Sequence, residues 1–122
     1  MFEIIIYEDE YGHSEFEKYL NELAQEKETN KDSRINYNKI IAYLDLLSEM
    51  GTRMGSPFTK HIKEEIWELR PLKNRILYAY YKDNSFVILH HFIKDTKKTP
   101  KREIEKAQSN YHKFVRTMEG TK

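Results

Sequence analysis

The alternation of apolar and polar positions predicts an ordered series of strands and helices. Residues 2–8 are β-branched and aromatic with few interruptions, which predicts a central strand covered on both faces. Ser14 stands three residues before Glu17, the spacing at which a helix start is capped, and apolar residues follow with helical periodicity. This pattern predicts a first helix at about 14–28 and, after a polar break, a second helix at about 33–50.

The second half of the chain reads as strands followed by one helix. Three runs are rich in β-forming residues, at about 60–70, 74–82 and 85–94. Asp83 and Asn84 separate the last two runs as a two-residue hairpin connection. Thr99 is a favoured N-cap and Pro100 suits the first helical position, so a last helix is predicted at about 100–118.

Taken in order, these elements predict an α+β fold of the type β-α-α-β-β-β-α. The first two helices are joined by a short connection, so we expect a helical hairpin packed on one face of a four-stranded, mainly antiparallel sheet, with a C-terminal helix. No repeat, low-complexity tract or interdomain linker interrupts the chain. Because 122 residues suit one hydrophobic core, residues 1–122 are predicted to form a single domain.

Composition excludes several classes of function. The chain has no cysteine, which excludes disulfide scaffolds, cysteine-ligated metal sites and thiol catalysis. Its four glycines are too scattered for a phosphate-binding loop and its five histidines lack metal-ligand spacing, so we expect neither a metal nor another cofactor. No apolar run reaches the ~18 residues of a membrane span, and the start lacks a signal-peptide pattern, which predicts a cytoplasmic protein.

The formal net charge of +1 conceals a strong division along the chain. Residues 1–30 hold nine acids against two lysines, a net of −7, whereas residues 51–102 hold twelve bases against five acids, a net of +7. Arg70, Arg75 and Lys94 belong to runs predicted to be neighbouring strands, which also carry aromatic residues. Cations interleaved with aromatic rings are typical of RNA binding, since phosphates pair with Arg and Lys while bases stack on rings. For any single lysine, a solvated sheet face is the alternative.

Four segments of the second half carry a resemblance to a known family. They are Ile66-Trp67-Glu68-Leu69-Arg70, Asn74-Arg75-Ile76-Leu77-Tyr78, residues 87–100 with the run His90-His91-Phe92-Ile93-Lys94, and Glu103-Ile104-Glu105-Lys106-Ala107. Together they resemble the phage-derived HigB-like branch of the RelE/ParE toxin superfamily, closely over residues 66–107 and by element order over most of the chain. Asp95 departs from the pattern, since a second lysine is usual there.

The resemblance implies the toxin of a type II toxin–antitoxin system. Such proteins are endoribonucleases that typically cleave mRNA on the ribosome, and a HigA-like antitoxin with a helix-turn-helix domain silences them. We therefore expect mRNA and the ribosome as partners, and a hetero-oligomer with a dimeric antitoxin. The implied chemistry is metal-independent: the RNA 2′-hydroxyl attacks the neighbouring phosphorus and leaves a 2′,3′-cyclic phosphate.

The resemblance also implies a set of catalytic residues, to which physical chemistry assigns roles. Arg70 and Arg75 would stabilise the charge that grows on the phosphate oxygens, because a guanidinium can grip phosphate at two points. Lys94 and Lys97 would contact phosphate or accept the 2′-proton. His90 matches a histidine that recurs in this branch and would move a proton, the alternative being a histidine held by hydrogen bonds within the sheet. The predicted RNA contacts are Lys60, Lys98, Tyr78 and Phe92.

Two other functions stay open on the sequence. A ParE-like protein inhibits DNA gyrase without catalysis, although that branch tends to lack the cations found here at Arg70, Arg75 and Lys94. A phage accessory protein would bind RNA without cleaving it. Expression in bacteria separates the three hypotheses, because the first predicts new mRNA 5′ ends, the second predicts DNA breaks and the third predicts neither.

Overall fold

The helices lie where the apolar pattern predicts them, with ends within a few residues of those expected. The computed structural model describes residues 1–120. Its first half consists of β1 (Glu3–Ile6), α1 (Glu15–Glu26), α2 (Lys31–Met50) and a short 3₁₀ helix (Gly51–Met54). Its second half consists of β2 (Thr59–Lys63), β3 (Ile66–Leu69), β4 (Asn74–Tyr80), β5 (Ser85–Ile93) and α3 (Lys101–Met118).

The strands form a mixed sheet in the order β1-β5-β4-β3-β2. β1 runs parallel to β5, and the other neighbouring strands in this order are antiparallel. α1 and α2 pack on one face of the sheet and α3 packs on the other, so the sheet is the middle of three layers. The α+β class, the helical hairpin and the mainly antiparallel sheet are confirmed, but the prediction of four strands is wrong, because this sheet has five.

The additional strand comes from the run predicted as one strand at 60–70, which is a hairpin of β2 and β3. The register shifts between His61 and Lys63, and Glu64 turns the chain with φ +50°, a conformation more typical of glycine or asparagine. The Glu64 carbonyl oxygen lies 2.6 Å from His61 Nε2, and its carboxylate accepts a hydrogen bond from Gln108 on α3 at 2.9 Å. A turn held by side-chain contacts of this kind leaves no signal in the local hydrophobic pattern.

The first strand lies at the edge of the sheet and not at its centre. Ile4 and Ile6 pack against the core beneath α1 and α2, while Ile5 and Tyr7 pack against the core beneath α3. Coverage of both faces is therefore as predicted. The predicted central position is wrong, because an apolar run reports what lies above and below a strand and not how many strands lie beside it.

The start of α3 differs from the prediction in a way that bears on the candidate site. Pro100 is the N-cap residue and makes no side-chain capping hydrogen bond, so the prediction of Thr99 as the cap is wrong. The Thr99 hydroxyl instead donates a hydrogen bond to Glu68 Oε2 on β3 at 2.6 Å. Ser14, by contrast, caps α1 as predicted, accepting from the backbone N–H of Glu17 at 3.1 Å. The loop that enters α3 is thus tied to the sheet.

Each face of the sheet has its own hydrophobic core. Ile40, Leu47 and Tyr78 are fully buried on the side of α1 and α2, and Ala107 and Phe114 close over the sheet on the side of α3. The helices are amphipathic, and over residues 1–120 none is both long enough and apolar enough to cross a membrane.

Candidate active site

A small cationic pocket lies where β3 and β5 end, where β4 begins and where the chain approaches α3. Its cavity volume is about 80 Å³. Its lining residues are Glu68, Arg70, Arg75, Phe92, Lys94, Thr96, Lys97, Lys98 and Thr99. We call this site the cationic pocket. It brings together six of the nine residues predicted for catalysis or RNA contact, and five of the six are cations.

Strand pairing explains why residues distant in the sequence meet in the cationic pocket. Arg75 is the second residue of β4 and pairs in register with Phe92 of β5. Arg70 directly follows β3, and Lys94 directly follows β5. The backbone N–H of Lys94 donates to the carbonyl of Lys73 at 2.8 Å, which continues the pairing beyond the end of β5. Three adjacent strands therefore present their cations at one end of the sheet.

A buried carboxylate organises the two arginines. Glu68 is 1% exposed, and its Oε1 accepts a hydrogen bond from Arg70 Nε at 2.9 Å and lies 3.9 Å from Arg75 Nε. Its Oε2 accepts the hydrogen bond from Thr99 described above. A buried carboxylate is costly unless donors and cations satisfy it, and here both oxygens have partners. Glu68 therefore fixes the positions of both guanidinium groups relative to the loop before α3.

The backbone holds Arg75 from another direction. Its Nη1 donates to the carbonyl oxygens of Leu72 and Asn74, both at 2.8 Å, and its side chain is only 12% exposed. Burial lowers the pKa of Arg75 from its ordinary value, while the charge of Glu68 opposes that shift. A guanidinium fixed by these contacts needs little reorganisation when it meets an anion, which is the condition for effective electrostatic stabilisation of a transition state.

A buried polar network supports the start of β4 from the opposite face of the sheet. Asn74 is fully buried; its side-chain oxygen accepts from the Tyr19 hydroxyl at 2.9 Å, and its amide donates to Asn36 Oδ1 at 2.9 Å. His91 Nε2 lies 3.3 Å from the same Asn74 oxygen, and the imidazole stacks on the Tyr19 ring at 4.3 Å between centroids. Burial lowers the pKa of His91 to about 4. The network links α1 and α2 to the strand that carries the second arginine.

His90 does not line the cationic pocket. Its Nε2 lies 2.6 Å from Glu103 Oε1 on α3, and both side chains are largely buried. It lines a different pocket of about 270 Å³, between the β1–α1 loop and α3, and its ring stacks at 6.1 Å on Phe92. Of the two interpretations of His90, this geometry favours a histidine held in place by hydrogen bonding.

Tyr78 and Lys60 also lie outside the cationic pocket. Tyr78 is fully buried on the side of α1 and α2; its hydroxyl lies 2.6 Å from Thr59 Oγ1, and burial raises its pKa to about 12. A ring with no exposed surface cannot stack on a base, so the prediction of an RNA contact at Tyr78 is wrong. Lys60 is exposed and pairs in register with Glu68, which places it on the same face of the sheet as the pocket.

Sequence reasoning missed the residues that organise the cations. Glu68 shares its face of β3 with the buried Ile66, and Arg70 follows two positions later. Because alternate residues of a strand share a face, a carboxylate at an inward position with an arginine two residues away is a signal from which the ion pair could have been predicted. Thr96 and Thr99 offer no comparable signal, because their place in the pocket depends on how the chain turns back after β5.

The positive charge of the pocket is supplied by side chains. Within residues 1–120, no three histidine, aspartate or glutamate side chains lie close enough together to hold a metal ion. Fold and site together define an α+β protein whose sheet carries a preorganised cationic pocket at one end.

The chain belongs to the phage-derived Gp49-like protein family, whose sequence profile matches residues 18–112. This range includes every residue that lines the cationic pocket. Among solved structures, the chain is similar to one in the YoeB-YefM complex from Staphylococcus aureus, with 16% sequence identity, coverage of 78% of this chain and 99% of that chain, and a TM-score of 0.49. No curated protein matches the chain significantly.

Proposed function

We propose that this chain is the toxin of a type II toxin–antitoxin system, of the HigB-like branch, and a metal-independent endoribonuclease that cleaves mRNA on the ribosome. It would act in the cytoplasm as a single domain. The observation that carries the proposal is the cationic pocket, which is lined by Arg70, Arg75, Lys94 and Lys97 and in which one buried carboxylate, Glu68, lies beside both arginines. Membership of the Gp49-like family and the resemblance of residues 66–107 to HigB-like toxins support it.

The proposed reaction is an internal transesterification of RNA. The 2′-oxygen forms a bond to the adjacent phosphorus, the bond from phosphorus to the 5′-oxygen breaks, and the products are a 2′,3′-cyclic phosphate and a 5′-hydroxyl. The 2′-proton passes to a base, and the leaving 5′-oxygen takes up a proton. Negative charge grows on the non-bridging oxygens in the transition state, so cations fixed beside them lower the barrier.

Arg70 and Arg75 suit the charged oxygens because both are held by Glu68 before any substrate binds. Lys94 and Lys97 line the same pocket. One of these two lysines accepts the 2′-proton, and the other contacts phosphate. Lys98 and Phe92 complete the contacts to the RNA, the lysine through the backbone and the ring through a base. We place His90 outside the reacting group because it is paired with Glu103.

The low net charge of the chain is the reason for proposing that the ribosome presents the substrate. A net charge of +1 gives little general attraction to RNA, so free RNA is bound weakly and the ribosome presents the substrate. The proposed inhibitor is a HigA-like antitoxin with a helix-turn-helix domain, which forms a hetero-oligomer with the toxin. Co-expression with the neighbouring reading frame tests this pairing: a stable complex that restores growth supports it, and two proteins that do not co-purify contradict it.

The deciding experiment is induction in a heterologous bacterium, followed by mapping of mRNA 5′ ends. Wild-type protein is expected to arrest growth and to create new 5′ ends, whereas Arg75→Ala reduces cleavage by about 10²- to 10³-fold. Arg75→Lys keeps the charge but not the two-point grip, and is expected to recover only part of the activity. Lys39→Ala, on the exposed surface of α2, is the matched control that leaves cleavage unchanged. Circular dichroism of each variant establishes that it is folded.

Other outcomes would favour the alternatives. Growth arrest with double-strand DNA breaks and no new mRNA ends would indicate a gyrase inhibitor. Binding of RNA that Arg75→Ala abolishes, without cleavage by the wild type, would indicate an RNA-binding accessory protein. Undiminished cleavage by Arg75→Ala would remove the cationic pocket from the mechanism.

A further inference from the structure

A second, wider depression adjoins the cationic pocket. Its cavity volume is about 450 Å³, and its lining residues are Leu72, Lys73, Arg75, Lys94, Asp95, Thr96 and Lys97. Arg75, Lys94, Thr96 and Lys97 line both spaces. A ligand whose charged group occupies the cationic pocket would therefore place its neighbouring group in this depression.

Leu72 stands out among the residues that line the depression. It is a large apolar side chain that is 45% exposed, and its backbone has φ +58°, the left-handed region that a branched residue rarely adopts. This turn directs the Leu72 carbonyl oxygen at Arg75 Nη1, which donates a hydrogen bond to it at 2.8 Å. Glycine would make the same turn without the steric cost of a side chain. The backbone role therefore explains the conformation but not the leucine, and strain of this kind concentrates at functional sites.

The surroundings of Leu72 identify the chemistry of a fitting ligand. Lys73, Arg75, Lys94 and Lys97 supply four positive charges around the depression, and Asp95 is the acidic residue in its lining. An apolar surface within a ring of cations matches a nucleotide, which joins a flat base of low polarity on its faces to an anionic phosphate. The narrow pocket suits the phosphate, and the wider depression has room for the base.

We propose that the depression is a nucleobase subsite, in which Leu72 packs against the base of a nucleotide next to the cleaved phosphate. The inference rests on the proposed ribonuclease function and extends it, since it names the part of the substrate that this chain reads. Leu72 then contributes to the choice of the cleaved position, while the arginines of the cationic pocket act on the phosphate.

Leu72→Gly separates the role of the side chain from that of the backbone. The variant keeps the left-handed turn and the hydrogen bond to Arg75, so its melting temperature stays at or above that of the wild type. Cleavage is expected to fall about tenfold, the scale of one lost contact to a base. Leu72→Met keeps an apolar side chain and is expected to retain most of the activity. Asp83→Gly relieves a similar φ of +52° at the far end of the β4–β5 hairpin, and is expected to leave cleavage unchanged.

An abasic substrate tests whether Leu72 and the base contact each other. One nucleotide on either side of the cleaved phosphate is replaced in turn by an abasic ribonucleotide, in the RNA or ribosome complex that the wild type cleaves. At one of the two positions, the abasic substitution is expected to lower the cleavage rate of the wild type about tenfold. The same substitution is expected to leave the cleavage rate of Leu72→Gly unchanged, because groups in contact have non-additive effects. Equal losses for the two proteins at both positions would overturn the subsite. Unchanged cleavage by Leu72→Gly would also overturn it, and weakened antitoxin binding by that variant would then indicate that the leucine contacts a protein.

A binding measurement distinguishes failure of the subsite from failure of the proposed function. Uridine 3′-monophosphate and inorganic phosphate are added separately to the wild-type protein while the Leu72 methyl signals are followed by nuclear magnetic resonance. Methyl shifts with the nucleotide and not with phosphate would support the subsite even in a protein that cleaves no RNA. Absent shifts, or equal shifts with both ligands, would overturn it even if cleavage were observed.

Discussion

Arg70 Nε and Glu68 Oε1 lie 2.9 Å apart, and Glu68 is buried while Arg70 is partly open to solvent. The same carboxylate oxygen lies 3.9 Å from Arg75 Nε. One buried negative charge thus holds two of the cations proposed to act on phosphate. This arrangement makes Glu68 a positioning residue, whose loss affects the arginines without removing them.

Glu68→Gln tests that role. Removing the charge leaves both arginines without their buried partner, and we expect the free energy of unfolding at pH 7 to fall by about 2–3 kcal/mol. Urea denaturation measures the change. Glu105→Gln is the control, because the Glu105 side chain is 61% exposed and lies 3.9 Å from Lys101, and such pairs contribute less than about 1 kcal/mol. Equal effects of the two substitutions would contradict the role assigned to Glu68.

Lys94→Ala and Lys97→Ala separate the proton acceptor from the phosphate contact. A lysine that accepts the 2′-proton must be deprotonated, so its removal flattens the rise of kcat/KM with pH. A lysine that only contacts phosphate lowers kcat/KM by a similar factor at every pH. Rate profiles of both variants over the same pH range identify each role. Parallel, unflattened profiles for both variants would exclude the two lysines as the base.

His91 makes stability depend on pH. Because its pKa is about 4 in the folded protein and about 6.5 when exposed, the unfolded chain binds the proton first as the pH falls. The free energy of unfolding therefore decreases between about pH 6.5 and pH 4. At pH 5, His91 alone lowers it by about 2 kcal/mol relative to neutral pH. We expect His91→Gln to lose less stability between pH 7 and pH 5 than the wild type does. His112→Gln, at an exposed position, is expected to behave as the wild type, and a wild-type-like loss in His91→Gln would exclude His91 as the cause.

Tyr78→Phe and Phe92→Ala distinguish a buried ring from one that lines the pocket. Tyr78→Phe removes the hydroxyl that meets Thr59, so we expect about 1 kcal/mol less stability and unchanged cleavage. Phe92→Ala removes a ring from the cationic pocket, and we expect about a tenfold loss of cleavage, the scale of one stacked base. Denaturation and cleavage are measured on both proteins. Lost cleavage in Tyr78→Phe, with stability retained, would contradict a purely structural role for Tyr78.

The elements that were predicted correctly depend on neighbours in the sequence. Ser14 caps α1 by bonding to a residue three positions away, and Asp83 and Asn84 turn the β4–β5 hairpin with positive φ values of 52° and 63°. The errors involve distant contacts. Thr99 has the character of an N-cap, but its hydroxyl donates to Glu68, 31 residues away in the chain, instead of accepting a hydrogen bond at the start of α3. Glu64 turns the chain between β2 and β3, and its carboxylate accepts a hydrogen bond from Gln108 on α3.

The sequence by itself determined the three helices, the α+β class, the concentration of cations in the second half and the identity of the six predicted residues that line the cationic pocket. Local periodicity and composition suffice for the helices, the class and the charge, whereas the six residues follow from the resemblance of residues 66–107 to HigB-like toxins. Only the tertiary structure decided that Glu68 also meets Arg75, that His90 pairs with Glu103, that Tyr78 is buried and that Leu72 lines the depression beside the cationic pocket. Strand register and the path of a loop bring these partners together across the chain, and such contacts leave no periodic pattern in the residues that make them.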